Sequence, residues 1–595
     1  MLLDELTGYA PGRLPMHMPG HKRNTALADY LKALRADLDI TEIDGFDDLH
    51  APEGALLDGM RRAARLWGAD ESRFLVNGAT CGLLAAVYAL AADGGRAIVA
   101  RNCHKSVYHA LELTGVEPVF VMPDVDAETG VCGRIPPEDV RRALEEAPDA
   151  RFVLVTSPTY EGVISDIAAI CRAAHERNVS VIVDEAHGAH LGLCDEAFPA
   201  DAMRMGADIS VKSVHKTLPS LTQTAILLAR HDRVDMAALD HALDIFETSS
   251  PSYLLMASID GCVSLMERRG AEILTSWRQA LEEFYEEAAA LSNLRIRRQD
   301  EPSKLVIDTM QAGVTGFELA RRLRKENVEL EMASLRYAVA MTGAGDTRET
   351  LRKFLNALKT VDRALSAPSK QPASVPPATA PSAQPAPAPS ASAPSAQPAP
   401  APSAPAPSAQ PATAPSAPPA SVPSAQPASV PSAPPASAPP APSAPSAPSA
   451  PSAPPASAPP APPAPSAPPA PSAPPAFVPS AHPASVPFAH PASVPFAQPT
   501  SVLSASAPSA PLPVLPRPVR VLPPKMALHA PSENVPARGA VGRVSACYAW
   551  AYPPGVPMLV PGERVPEGFA ELWAEWEKSG AKLVTTRGSL RVIRE

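Results

Sequence analysis

Lys216 stands in the segment SVHKTLPSLTQTA (213–225), between a short apolar run at 209–211 and a turn rich in Ser and Thr. An amine partly withdrawn from water there can be tuned as a nucleophile for carbonyl chemistry, although a lysine taken alone reads more simply as a surface charge. Three further clusters supply partners. In VIVDEAHGAH (181–190) Asp184 ends an apolar run, where a carboxylate could pair with a protonated ring nitrogen and keep the ring an electron sink. VNGATCG (76–82) puts small residues and Thr80 at a helix start, where free backbone N–H groups make a phosphate site. In ARNCHKS (100–106) His104 follows an apolar run and could stack on a flat ring. Singly, each has a plainer reading: a helix cap for Asp184, a turn for Gly78, a satisfied core histidine for His104. Together they describe one site for a flat, phosphorylated carbonyl cofactor.

Such a site needs a frame that gathers distant segments. Between about Ala55 and Arg230, apolar runs at 97–100, 118–122, 152–155, 179–183 and 225–229 predict buried strands. Helical patterns at 58–66, 81–91, 138–146 and 167–177 fall between them. This alternation predicts an α/β fold, a mainly parallel sheet with helices on both faces, whose ligands sit at the carboxyl ends of strands. From Arg269 the pattern changes to a helix at 271–291, a strand near 304–307, a helix at 317–325, a strand near 337–341 and a helix at 347–358, which predicts a smaller α+β domain.

Of the 75 prolines, 50 fall between 371 and 516, a Pro/Ala/Ser-rich stretch without Asp, Glu, Lys or Arg. Such a composition cannot bury enough apolar surface to offset the entropy of ordering, so a disordered linker is expected. A perfect tandem of AHPASVPF (481–488, 489–496) points to repeat expansion rather than a solenoid. The expected division is 1–268 for an N-terminal arm and large domain, 269–365 for the small domain, 366–521 for the linker and 522–595 for a C-terminal domain.

A formal net charge of −10 with no basic block argues against nucleic acid as a partner. No run of about 18 apolar residues suggests a membrane span, and the first residues lack a signal-like apolar core, so a cytoplasmic protein is expected. Seven cysteines, scattered from Cys81 to Cys547 and never spaced CxxC, fit reduced thiols. No metal centre is expected: residues 184–187 with His190 could be ligands, but the cofactor reading explains Asp184 better. The same DEAH letters occur in a helicase motif, yet the GxxxxGK[ST] phosphate loop is missing.

SVHKTLPSLTQTA resembles the pyridoxal-phosphate attachment signature of the Orn/Lys/Arg decarboxylase family. Similar blocks are MHMPGHK (16–22), DITEIDGFDDLHAPEGAL (39–56), ARNCHKSV (100–107), SPTYEGVISDI (157–167) and FETSSPSY (246–253). MALHAPSENVPARGAVGRVSA (526–546) and AYPPGVPMLVPGE (551–563) resemble its C-terminal domain. With no receiver-like wing ahead of these blocks, the chain resembles the family's short form. The resemblance implies a fold type I pyridoxal-phosphate enzyme that decarboxylates a basic amino acid, arginine first, then lysine, then ornithine.

It further implies that Lys216 carries pyridoxal 5'-phosphate as a Schiff base, Asp184 partners the ring nitrogen, His104 stacks on the ring and His187 faces its hydroxyl side. Thr80, with the amides of Ala79 and Cys81, would hold the phosphate beside Ser213 and His215. Lys216 or His215 would return a proton to Cα. A homodimer is implied, with Thr248 or Ser249 reaching the partner's cofactor. Ala79 and Cys81 depart from the hydroxyl residues usual in that turn, and Pro219 stands where a small polar residue is usual. Candidates to receive the substrate's distal cation are Glu42, Asp44, Asp47 and Asp48, or Glu563 in the tail. The tail is expected to dock on the body. Transamination or aldol cleavage would need the same cofactor residues, and a Pro-rich interaction protein is a remoter alternative.

Overall fold

A computed structural model describes residues 1–9, 15–366, 519–552, 556–579, 581–585 and 589–594. Seven strands form the central sheet: β1 (Glu71–Leu75), β2 (Arg96–Ala100), β3 (Glu117–Val121), β4 (Ala150–Thr156), β5 (Ser180–Asp184), β6 (Ile209–Lys212) and β7 (Ala225–Ala229). Their order is β1-β7-β6-β5-β4-β2-β3, with β2 to β6 parallel and β7 antiparallel to both of its neighbours. Every residue of β5, β6 and β7 is buried, so both faces are covered, which explains why these strands read as unbroken apolar runs. Helix Gly78–Ala91 packs on β6 and β7. Gly82 permits its close approach, since a Cβ there would lie 2.6 Å from Leu75 Cδ1.

One polar contact crosses this apolar interior. Lys212, at the end of β6, is fully buried and donates to Glu185 Oε2 at 2.6 Å, with Asp201 Oδ2 at 3.6 Å. Asp184 pairs with Val211 in the sheet register, so Glu185 and Lys212 stand just beyond that pair.

Helix Tyr253–Ala288 leads from the sheet to the smaller α+β part. It starts well before the expected position 271, capped by the Ser252 hydroxyl, which accepts from the Leu255 amide. The boundary expected at 268/269 therefore falls inside a continuous helix, whose first half is buried through Tyr253, Met256 and Ile259. The small sheet comprises β8 (Arg295–Arg297), β9 (Lys304–Asp308), β10 (Met332–Ala333) and β11 (Tyr337–Met341), in the antiparallel order β10-β11-β9-β8. Helices Gly316–Lys325 and Arg348–Ser366 accompany it. Strand β1 and helices Lys105–Thr114 and Met236–Phe246 had no sequence expectation; in β1 the reason is that ESRFL is too polar for an apolar run.

Of the expected linker, 367–518 lie outside the described residues; at its edges Ser366 still belongs to the preceding helix and Arg520 already bridges to Glu563, so its bounds are narrower than the expected 366–521. Beyond it, β12 (Ser532–Val535) pairs with a later strand, and β13 (Ala549–Tyr552), β14 (Val556–Leu559) and β15 (Lys582–Val584) form a sheet in the order β14-β13-β15. The partner of β12 is β16 (Leu590–Ile593), and helix Phe569–Lys578 closes a small core around Leu559, Phe569 and Val592. The tail belongs to the same compact unit as the body. Trp550 joins the main core, its ring 5.8 Å from Tyr108 and edge-on to it. Beside it the buried Arg101 guanidinium grips Glu563 through both oxygens, at 3.2 and 3.1 Å, and donates to the Pro557 carbonyl at 2.8 Å. Arg520 adds an ion pair to Glu117 at 2.9 Å. Closing a connection of about 150 rather than ten residues costs roughly 2.4 kcal/mol more, a cost that the burial of a few apolar side chains offsets.

Two stability outcomes follow. Lys212→Met leaves the buried Glu185 carboxylate without its cation, while Asp201 keeps Arg204 at 3.3 Å, and a loss of about 3–5 kcal/mol is expected; urea denaturation measures it, and an unchanged midpoint would refute the clamp. Glu563→Ala strands Arg101 in the interior, again at about 3–5 kcal/mol, and limited proteolysis should then release the tail. A digestion pattern identical to wild type would show that docking does not rest on this pair.

Candidate active site

A cavity of about 1090 Å³ opens at the carboxyl ends of the central strands, bounded by the small sheet and by Met558, Leu572 and Trp576 of the tail. The segments singled out by sequence converge here: Asn77, Ala79 and Thr80, His104, Asp184, His187, and Ser213, His215 and Lys216 all line it. Lys216 sits on the short helix Val214–Thr217 directly after β6, and its Nζ lies 2.9 Å from His187 Nε2. Burial lowers the affinity of the amine for its proton, helped by Lys304 and opposed by Asp184 and Glu331. Burial likewise holds His187 well below the usual histidine range, with Lys216 and Lys304 adding to the effect. His187 Nδ1 is buried without a hydrogen-bond partner, and its ring lies 4.6 Å from that of Tyr160.

Asp184 ends β5 and is only 3% exposed, its Oδ1 accepting from the Ala186 amide at 3.2 Å. Burial raises its pKa, while the Lys216 charge and that amide oppose the rise. A buried acid with one weak donor suits a cationic partner. His104 caps helix Lys105–Thr114, Nδ1 accepting from the Ser106 amide at 3.3 Å and lying 2.8 Å from the Ser106 hydroxyl. Burial, then Lys216, pushes it down to about 3, so near neutral pH it presents an uncharged ring. His215 Nδ1 lies 2.7 Å from the Thr224 carbonyl and must donate to it, which leaves Nε2 free of a proton in the neutral ring.

No side chain caps helix Gly78–Ala91, so its first amides remain available to an anion. Gly78 turns the chain with φ +76°, a conformation that disfavours a Cβ. Behind this turn Glu247 Oε1 accepts from the amides of Val76 and Asn77 at 3.1 and 3.2 Å, a support the sequence did not disclose. Cys81 faces Glu247 rather than the cavity, and burial raises its thiol pKa far above the ordinary value. Thr248 and Ser249 follow Glu247 and lie outside the cavity of their own chain, the Thr248 carbonyl being engaged by His50 Nε2 at 2.9 Å.

The acids proposed for the substrate's cation sit elsewhere. Asp47 accepts from the amides of Glu53, Gly54 and Leu56 at 2.7, 2.8 and 2.8 Å, fastening the start of helix Ala55–Trp67. Asp48 accepts from the His50 amide at 2.9 Å, Asp44 is exposed, and Glu42 buries Oε1 without a partner away from the cavity. Glu563 is consumed by Arg101 and by the Val560 amide at 2.8 Å. Local amides thus engage Asp47 and Asp48, and a buried guanidinium engages Glu563. The acids that do line the cavity are Asp126, Glu161 and Glu331, besides Asp184. Tyr160 donates to Glu331, and Tyr337 donates to Glu161 at 2.8 Å. Tyr160 and Glu161 lie within the SPTYEGVISDI block without a signature of their own, and Glu331 had no signal.

This donor set fits pyridoxal phosphate: an uncapped helix start with Gly78 for the phosphate, a buried acid for the ring nitrogen, an uncharged imidazole, and an amine of lowered basicity. Among the described residues no group of His, Cys, Asp and Glu could hold a metal ion, and no helix is long and apolar enough to cross a membrane.

Residues 4–303 match the Orn/Lys/Arg decarboxylase major domain, and residues 523–574 match the Orn/Lys/Arg decarboxylase C-terminal domain. An arginine decarboxylase of Bacillus subtilis is 33% identical over 365 residues, which cover 59% of this chain and 74% of that protein. The fold is shared with the lysine decarboxylase LdcF of Francisella novicida, at TM-score 0.68 and 16% identity over 100% of this chain and 81% of that one. It is also shared with lysine decarboxylase A of Pseudomonas aeruginosa, at TM-score 0.53 and 19% identity over 61% of this chain and 59% of that one. Both domain matches in chain order, the identity and coverage of the relative, and a fold type I sheet around a lysine-bearing cavity lead to one conclusion: the chain belongs to the Orn/Lys/Arg decarboxylase family, pyridoxal-phosphate-dependent decarboxylases.

Proposed function

We propose that the protein removes CO2 from a basic amino acid, arginine in preference to lysine and lysine to ornithine, with pyridoxal phosphate attached to Lys216. The observation that carries this reading is the meeting, in one cavity, of a lysine amine 2.9 Å from a buried imidazole with a buried aspartate from the adjacent strand. Bound there, the cofactor would supply a sink for the electrons left by departing CO2. The chain supplies placement and charge. Asp184 would hold the proton on the ring nitrogen, His104 would bound one face of the ring, and His187 would lie on the hydroxyl side. Thr80, the amides of Ala79 and Cys81, Ser213 and His215 would hold the phosphate. Lys216 or His215 would return the proton to Cα. The carboxylates of Asp126, Glu161 and Glu331 suit a substrate with a distal cation, and the similarity to a B. subtilis protein named arginine decarboxylase supports placing arginine first.

A homodimer accords with an arm that exposes Met16 by 80%, Met18 by 62%, Leu27 by 68%, Tyr30 by 64% and Leu34 by 66%. Apolar side chains so exposed and so close in sequence point to a covering surface. In a second copy Thr248 or Ser249 would reach the partner's cofactor.

Lys216→Ala should abolish both turnover and the borohydride-reducible cofactor adduct. Retention of that adduct would move the attachment to another lysine. Asp184→Asn should keep the cofactor and lower turnover by about two orders of magnitude or more. Side-by-side assays of CO2 release from arginine, lysine and ornithine, without added keto acid, test the substrate order; faster release from lysine would reverse it.

A further inference from the structure

The loop that follows Asp184 is gripped from two sides. From the sheet, Lys212 holds Glu185. From the small sheet, Lys304 at the start of β9 reaches the other end: its Nζ donates to the His187 carbonyl at 3.1 Å, to Glu301 Oε2 at 2.7 Å and to Ser303 Oγ at 2.8 Å. Glu301 Oε1 completes the cluster at 3.1 Å from His190 Nε2. Lys304, Glu301 and His190 are all 0% exposed. Burial lowers the pKa of His190 against the pull of Glu301, and burial would push Glu301 up were it not for Lys304, which holds it well below the ordinary range. At the centre of the cluster Lys304 and Glu301 form an ion pair sealed in the interior.

An ion pair so placed is a poor way to gain stability, since apolar residues of similar volume do as well or better. Its geometry offers another role. His187 reaches Lys216 through Nε2, while its Nδ1 has no partner to fix the ring. The ring's position rests on the backbone, and Lys304 holds that backbone at the residue itself. We propose that Lys304, balanced by Glu301, is a positioning residue for Lys216: it fixes His187 against the amine and sets the charge that the amine meets. This rests on the reading of Lys216 as the reactive lysine. The groups facing Lys216 are Asp184 from β5, His187 from the loop after it, His104 from the start of its helix, Glu331 beside β10, Lys304 from β9, and His215 on its own short helix. Of these, Lys304 is the cation from the small sheet, and it adds to burial in lowering the amine's basicity.

The test titrates Lys216 in the full-length, cofactor-free chain. Trace acetic anhydride labels its amine across a pH series, and peptide mass spectrometry reads the midpoint of reactivity. In Lys304→Met the midpoint should move up by about half a pH unit or more. The double variant Glu301→Gln with Lys304→Met leaves no unpaired buried charge, so it should fold and still show an upward shift. His190→Gln loosens the same cluster without removing the donation to His187, and should leave the midpoint in place. A wild-type midpoint in the folded double variant, or an equal shift in His190→Gln, overturns the proposal. Because labelling needs no turnover, these results are separable from the fate of the decarboxylase reading, which Lys216→Ala decides.

Discussion

The buried contact between Lys212 and Glu185 is the constraint on which the site's geometry depends. Parallel strands β5 and β6 end side by side, and their next residues leave the sheet as loops that must not drift. Lys212 closes the end of β6 onto the first residue beyond β5, at 2.6 Å and away from water. Asp184 lies one residue from one partner, and Lys216 lies one helical turn from the other. An ion pair there adds little net stability. It does permit only one register of the two strand ends, and therefore one separation between the acid and the amine. Glu247 performs a comparable service behind the turn at Gly78, where it accepts from two consecutive amides.

Much of this was legible before any coordinates. The parallel strands announced themselves because burial on both faces leaves an unbroken apolar run, as in VIV before Asp184 and AILLA in β7. The uncapped helix start at Gly78 was legible from its small residues. Contacts between residues far apart in the chain were not legible. Lys304 meets the His187 carbonyl across 117 positions and Arg101 meets Glu563 across 462, and no local spacing encodes either. By the same token, nothing nearby in sequence shows that a buried guanidinium engages Glu563 or that a row of amides engages Asp47. The early start of helix Tyr253–Ala288 was hidden for a different reason. Its first turns are apolar on a wide face, with no clean helical period to mark them.

The tail finishes a wall of the cavity with Met558, Leu572 and Trp576, and the Arg101–Glu563 pair fixes that wall in place. None of this wall can form from the body alone. The order of the chain gives that fact a meaning in time. Ribosomes translate the body through Ser366 about 210 residues before they reach Trp576, a delay of roughly 10–40 s at about 5–20 residues per second. Throughout that interval the cavity lacks one wall and the Arg101 guanidinium lacks its carboxylate. Completion of the pocket is thus a docking event that waits for the last part of the chain to be made.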